Sequence, residues 1–435
     1  MNKISPQFNN QNAAIVLAFN EDFSKYAAVL IESMLQNASA DQCYDVIVLH
    51  SNISDGNRNK LTSMTELHDN VSLRFLHIDS SNWDDLYVER GNSPLSVETY
   101  YRLLIGDLLS EEYQRVIYLD ADMVLTDDIA KLFEIELDDV ILGACRDITG
   151  ICINYGPDGE KRVEYQKSVL GIDDTDDYFI AGTMVYNLDV LRNEISSSQL
   201  MEMACTRNWN QHDQDIMNRV CRGGKARIID ASWNVMADYG SNKYLPDSLF
   251  DEWIRSEKNP KIIHYGGSWK PWRMDTYRDE FFWKYAAKTP FWKEILYELT
   301  GKDLLAIDVN SNKFSKDADE LAREIIDGHI RQRYSSIVES MLTKPCFAVF
   351  DSSEDAVKKE LIRSRAIESR YAFAFRRERK KYNDLLRADK RLKLENKKLS
   401  GKLKAVRESR SYKIGRTITA VPRRLVKAVK NSDNK

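Results

Sequence analysis

Four consecutive residues, Val116-Ile117-Tyr118-Leu119, offer no charged face, and they run directly into Asp120-Ala121-Asp122. A strand that is apolar on both sides is buried on both faces, the condition of a strand inside a parallel sheet covered by helices. Side chains alternate along an extended chain, so Asp120 and Asp122 are expected to project the same way. Two like charges at the carboxyl edge of a sheet repel unless a cation lies between them. Oxygen donors in that arrangement suit Mg²⁺ or Mn²⁺, with phosphates completing the sphere. Open α/β sheets also take their ligands at that edge. Turns and helix starts use the same letters, so the spacing alone leaves a structural reading open; the apolar strand before it favours a metal.

The rest of the chain supports such a sheet. From Ala13 to about Thr300, strand-like runs alternate with helical stretches, as in an α/β domain with helices on both faces. Strands are expected at Ala14–Phe19, Asp45–His50, Ser72–Ile78, Val140–Ala144, Thr183–Tyr186 and Arg227–Ile229. Helices are expected at Lys25–Gln36, Asp55–Leu67 and Val97–Leu109. With 435 residues, 43% of them apolar, the chain can bury one large core and still carry an appendage. The polar N-terminus is unlike a secretory signal, and no stretch reaches the roughly 18 apolar residues that span a bilayer. Six cysteines without Cys-x-x-Cys pairs (Cys43, Cys145, Cys152, Cys205, Cys221, Cys346) read as reduced thiols of a cytosolic protein.

The net charge of −4 conceals two different objects. Residues 356–435 hold 27 Lys/Arg against 8 Asp/Glu, a net +19, which leaves −23 on the remainder. Three regions follow: an α/β domain over 13–300, a helical stretch of unassigned role over 301–355, and a basic helical tail over 356–435. Within the tail, Leu385, Leu392, Leu399 and Val406 fall seven apart, with Tyr382, Asp389, Asn396 and Leu403 at the other seam position. That pattern over 380–407 suits a coiled coil and a homodimer, or else a solvated single helix. Over 411–430, Ile414, Ile418, Val421, Leu425 and Val429 line one face among basic residues. This is the composition of a helix drawn to anionic lipid headgroups, split at Pro422, or of a frayed basic terminus. Stacking aromatics are nearly absent there, so nucleic acid is not expected as a partner.

A second polar cluster lies far downstream, in Lys261-Ile-Ile-His-Tyr-Gly-Gly-Ser-Trp-Lys-Pro-Trp272. A short strand ends at His264, two glycines allow close backbone approach, and Lys270 follows. An imidazole joining two carboxylates moves preference from Mg²⁺ toward Mn²⁺. A lysine ammonium is a compact partner for phosphate.

Leu-Asp-Ala-Asp, Asp-Gln-Asp and His-Tyr-Gly-Gly-x-x-Lys-Pro-Trp, in that order over residues 13 to 275, resemble the nucleotide-sugar-dependent retaining glycosyltransferases of family 8. These include bacterial lipopolysaccharide galactosyl- and glucosyltransferases and glycogenin. The resemblance implies a GT-A fold, a Rossmann-like mixed α/β sheet with helices on both faces, here with a basic helical C-terminal extension. It implies a UDP-sugar donor and Mn²⁺, with Mg²⁺ as the alternative. By the same resemblance, Asp120, Asp122 and His264 are metal ligands, Ala121 lies within the donor site, and Gly267 and Lys270 hold the pyrophosphate. Ala18, Asn20, Asp22 and Phe23 would receive uracil and ribose, Phe23 by stacking. Arg102 would meet the donor sugar and phosphate. Asp147 and Asp213 would grip sugar hydroxyls, with Gln214 beside the anomeric carbon.

One position departs from the family pattern. Similar proteins read Phe-Asn-Ala/Ser-Gly where this chain has Phe179-Ile180-Ala181-Gly182. The expected activity is transfer of glucose or galactose from a UDP-sugar to a saccharide or lipid-linked saccharide, in the cytoplasm and peripheral to the inner membrane face. A silent UDP-sugar-binding protein and a coiled-coil scaffold are the alternatives.

Overall fold

The computed structural model describes residues 3–8, 12–80, 83, 86, 96–238, 244–273 and 276–300. The stretch 301–355 and the tail, including the coiled-coil and amphipathic segments, lie outside the described residues.

Among the described residues, ten strands form two sheets: β1 (Asn12–Ala18), β2 (Cys43–His50), β3 (Val71–His77), β4 (Arg115–Leu119), β5 (Met123–Leu125), β6 (Leu142–Arg146), β7 (Phe179–Asn187), β8 (Ala226–Ile229), β9 (Val235–Met236) and β10 (Ile262–His264). The large sheet has the order β3-β2-β1-β4-β7-β6-β8, and the small one β5-β10-β9. In the large sheet only β7 runs against its neighbours, so the expected mixed α/β class is what the chain adopts.

Alternation along the central strands feeds two cores. Ile15 and Leu17 of β1 and Ile117 and Leu119 of β4 pack on one face, against Ala27, Leu30 and Ile31 of the helix Ser24–Asn37. Ala14, Val16, Val116 and Tyr118 pack on the other, against Tyr100, Leu103, Ile216 and Met217. Each fully buried aliphatic side chain contributes roughly 1.5–3 kcal/mol, so these strands need both helical layers.

The expected strand centres are present with shifted ends; β7, for example, extends to Phe179 beyond the Thr183–Tyr186 read from the pattern. Two differences have physical causes. The helix expected at Asp55–Leu67 ends at Ser63, where the chain begins the turns that lead to β3. The segment Val97–Leu104 is a 3₁₀ helix, followed by the short α-helix Ile105–Leu108. Three residues per turn align Thr99 with Arg102, which both reach the same carboxylate of Asp213.

Asp120 and Asp122 lie just beyond β4, in the turn that carries the chain from one sheet to the other. The Asp120 N–H donates to Gly182 O in β7 at 2.9 Å, while Asp122 O accepts from Tyr265 N–H at 2.9 Å, just past β10. This turn, not strand alternation, brings the two carboxylates together.

Among the described residues no helix is long and apolar enough to cross a membrane, and Cys43, Cys145, Cys152, Cys205 and Cys221 are free.

At the far end of β2, His50 is 2% exposed and its Nδ1 accepts from Ile53 N–H at 3.2 Å. Burial first, then Arg58 and His77, push its pKa down to about 4. The unfolded imidazole takes its proton near pH 6.5, so stability is full above that value and falls as the pH drops toward 4. The difference in unfolding free energy between wild type and His50→Asn is expected to change by on the order of 3 kcal/mol between pH 7 and 4. Urea titrations at several pH values check this; a difference independent of pH would refute it.

Candidate active site

The sheet switch assembles the first cluster. β10 pairs antiparallel with β5, His264 opposite Met123, which sets the imidazole over the Asp120–Asp122 turn. Ligand atoms of Asp120, Asp122 and His264 all lie within 4.8 Å of one another. His264 Nε2 is 3.2 Å from Asp122 Oδ1 and 3.7 Å from Asp120 Oδ2. Its Nδ1 faces Asn234 Oδ1 at 3.2 Å, and Thr183 Oγ1 donates to that same oxygen at 3.1 Å. An Nδ1 proton donated to Asn234 Oδ1 would leave Nε2 to face an ion held by the two carboxylates. Two carboxylates and an imidazole so disposed could hold a divalent cation.

Gly182 is required by this packing. A Cβ there would lie 2.6 Å from His264 Cε1 and 2.9 Å from Met123 Cε.

Lys270 follows Gly267, whose φ of +63° turns the chain back over the site. Its buried ammonium contacts Asp122 Oδ2 and donates to Tyr265 O at 2.6 Å. Burial by itself would raise the Asp122 carboxyl, but Lys270 and His264 outweigh it and hold the group well below the usual carboxylate range.

A second cluster grows from Arg102, which is 5% exposed. Its Nη2 binds Asp120 Oδ1 at 2.7 Å, its Nε lies 2.9 Å from Asp213 Oδ2, and its Nη1 donates to Ala181 O at 2.6 Å. The guanidinium carbon sits 4.2 Å above the Tyr118 ring. Asp213 also accepts from Thr99 Oγ1 at 2.6 Å. His212, at φ +48°, turns the chain into the helix His212–Val220 that presents Asp213 and Gln214.

Around Gln214 every polar contact has a direction. The Ala181 N–H donates to Gln214 Oε1 at 3.1 Å, so Nε2 faces Asp147 Oδ2 and Tyr178 Oη, each at 3.2 Å. Tyr178 donates its own proton to Asp215 Oδ1 at 2.7 Å, leaving its oxygen to accept from Gln214. Asp147 caps the helix Ile148–Asn154 by accepting from Gly150 N–H at 2.9 Å, with Arg162 3.6 Å away. Burial raises the Asp147 and Asp213 carboxyls against the opposing charges of Arg162 and Arg102.

The first-loop residues sit further out. Ala18 ends β1, and Asn20 Oδ1 accepts from Phe23 N–H at 3.2 Å as the chain enters the helix Ser24–Asn37. Asp22 is exposed. Phe23 packs edge-on to Trp272 at 6.2 Å between ring centroids, and the Lys270 ammonium is 5.6 Å from the Trp272 ring. Trp272 therefore links that loop to the carboxylate cluster. Ala121 and Ile180 are both buried in the core that packs against the helix Ser24–Asn37, so Ile180 packs as a core residue. Sequence reasoning missed Asn234, Thr99, Tyr178 and the structural part of Asp215. The Asp-Gln-Asp motif flagged only the last of these.

The profile of glycosyl transferase family 8 matches residues 14–276. General stress protein A of Bacillus subtilis is 24% identical over 278 residues, 62% of this chain and 91% of that protein. The lipopolysaccharide 1,3-galactosyltransferase of Salmonella typhimurium is 27% identical over 178 residues, 40% of this chain and 49% of that one. Among solved structures, the bifunctional glycosyltransferase WbbM superposes with a TM-score of 0.59 at 26% identity, covering 69% of this chain and 53% of that one. The galactosyltransferase LgtC, solved with donor and acceptor sugar analogues, gives 0.52 at 23% identity over 65% of this chain and 99% of LgtC, a likeness of fold. This chain thus spans about half the length of WbbM and of the Salmonella enzyme.

Because Asn234 Oδ1 lies beside His264 Nδ1 and would orient the ring, Asn234→Ala is expected to weaken Mn²⁺ binding by about 10- to 100-fold with the fold unchanged. Titration followed by electron paramagnetic resonance reads this directly, and unaltered affinity would remove Asn234 from the site. The matched span covers well over half of the chain and includes both sheets and every residue of the two clusters; the chain belongs to glycosyl transferase family 8.

Proposed function

We propose that this glycosyltransferase moves glucose or galactose from a UDP-sugar to a saccharide acceptor, with retention at the anomeric carbon and Mn²⁺ as its ion. The observation that carries this reading is the convergence of Asp120, Asp122 and His264 with the Lys270 ammonium on one side. Asp120, Asp122 and His264 would hold the ion, which supplies Lewis-acid stabilisation of a diphosphate leaving group when bound.

The chain's own residues do the rest. As the bond from the anomeric carbon to the diphosphate breaks, its electron pair passes to the phosphate oxygen, and Lys270 supplies fixed positive charge there. Arg102 holds Asp120 and Asp213 in place, and its guanidinium, which has more N–H donors than these contacts use, would meet the donor sugar and phosphate. Asp147 and Asp213 provide acceptors for sugar hydroxyls. Gln214 Oε1 is engaged by the Ala181 N–H, which makes a poor nucleophile poorer. Attack of the acceptor hydroxyl on the face the phosphate leaves, with the hydroxyl proton passing to the departing phosphate, needs no enzyme nucleophile.

A second reading, UDP-sugar binding without turnover, is favoured by Ile180. An apolar, buried side chain stands where similar proteins carry an amide. A panel of UDP-sugars with Mn²⁺ separates the two readings. Transfer or hydrolysis supports the first, whereas bound UDP with no turnover supports the second.

The acceptor we propose is a surface-glycan or lipid-linked saccharide at the cytoplasmic membrane face, reached by the basic residues 411–430. The net +19 of residues 356–435 supports this placement.

Asp122→Asn is expected to lower Mn²⁺-dependent turnover at least about 100-fold while leaving the circular dichroism spectrum unchanged. Retained turnover would refute the metal assignment. Deleting 411–435 is expected to reduce sedimentation with phosphatidylserine vesicles at low salt; undiminished binding would rule out the tail as anchor.

A further inference from the structure

Among the described residues five large apolar side chains are exposed, and three of them, Ile153 (51%), Tyr155 (48%) and Tyr244 (39%), surround one turn. The Gly156 N–H closes that turn on Ile153 O at 2.9 Å. Tyr244 Cδ2 lies 3.3 Å from where a Cβ on Gly156 would stand. The backbone N–H of Tyr244 donates to Cys152 Sγ at 3.3 Å, which ties its segment to the same helix. Tyr155 is held at its rim: its hydroxyl donates to the Asp176 carboxylate, with oxygens at 2.8 and 3.0 Å. The two tyrosines are thus neighbours fixed through their backbone or hydroxyl.

The patch lies at the far end of a helix that starts in the candidate active site. Its helix, Ile148–Asn154, begins at Asp147, the carboxylate that Gln214 contacts. Thr149 of the same helix donates to Asp238 at 2.9 Å, close behind β9. At about 1.5 Å of rise per residue, the turn lies on the order of 10 Å from Asp147, the scale of a short oligosaccharide.

Flat tyrosine rings with carboxylates beside them suit a saccharide. A pyranose has an apolar C–H face and a rim of hydroxyl donors. Tyr155 and Tyr244 offer the stacking face, and Asp176, with Asp174 on the same turn, offers the acceptors.

We propose that Tyr155 and Tyr244, flanked by Ile153, form a stacking platform for a pyranose ring of the acceptor saccharide. This rests on the glycosyl-transfer reading above and assigns an acceptor subsite outside the donor cluster.

Saturation-transfer NMR on the full chain, with UDP and Mn²⁺ present, tests it using lactose and methyl β-glucoside as probes. Ring C–H protons of a probe are expected to receive saturation from the wild type. The double variant Tyr155→Ala/Tyr244→Ala is expected to weaken that binding at least tenfold. The double variant Tyr155→Phe/Tyr244→Phe retains the rings and is expected to retain binding, which separates stacking from misfolding.

Calorimetry of UDP with Mn²⁺ accompanies each sample. UDP bound, with probe binding absent from the wild type or unchanged by the alanine pair, overturns the platform and leaves the donor reading standing. UDP not bound by the wild type overturns the donor reading itself. Probe binding that appears only when residues 356–435 are deleted assigns the patch to the tail and also overturns the proposal.

Discussion

One buried guanidinium holds the two halves of the site in register. Arg102 reaches from a 3₁₀ helix to Asp120 at the end of β4, to Asp213 at the start of a helix, and to the Ala181 carbonyl in β7. Burying an unpaired charge costs several kcal/mol, and this one is paired twice and stacked on Tyr118. The reverse also holds: Asp120 and Asp213 are like charges that the fold can bring close only with a cation between them. The 3₁₀ pitch follows from the same demand, because it aligns Thr99 and Arg102 on one carboxylate.

The cluster of Asp120, Asp122 and His264 is built from two sheets at once. Asp120 bonds to β7 and Asp122 to the chain leaving β10, so the turn between them spans the sheet junction. His264 reaches it only because Gly182 has no side chain, and the Asn234 amide oxygen lies 3.2 Å from its Nδ1. Around Gln214 the order comes from a hydrogen-bond chain running Asp215, Tyr178, Gln214, Asp147. An acceptor-only carboxylate at one end sets the direction of each donor after it.

Much of this was legible before the fold. The apolar run ahead of Asp120 announced a doubly buried strand, and the two core faces of β4 bear that out. Asp122 and Lys270 were read as one site although they lie 148 residues apart, because each motif concentrates unusual chemistry in a few positions. Asn234 carried no such mark: a single asparagine in a Trp-Asn-Val stretch has neither period nor spacing. The turn geometry of Asp120–Asp122 was equally hidden, since a strand and the turn ending it share letters. Exposure at Tyr155 and Tyr244 is a property of what packs nearby, and no local pattern encodes it.

The reversed strand β7 has an effect on how such a chain can diversify. Because β7 runs against its neighbours, its first residues meet the last residues of β6, and Arg146 pairs with Phe179. Everything between them leaves the sheet and returns to it at the same point on the ligand edge. That excursion carries Asp147, Arg162, Tyr155 and Tyr178, while Asp120, Asp122, His264 and Lys270 belong to other segments. Its length can therefore change without altering a strand register, while Asp120, Asp122, His264 and Lys270 stay where they are.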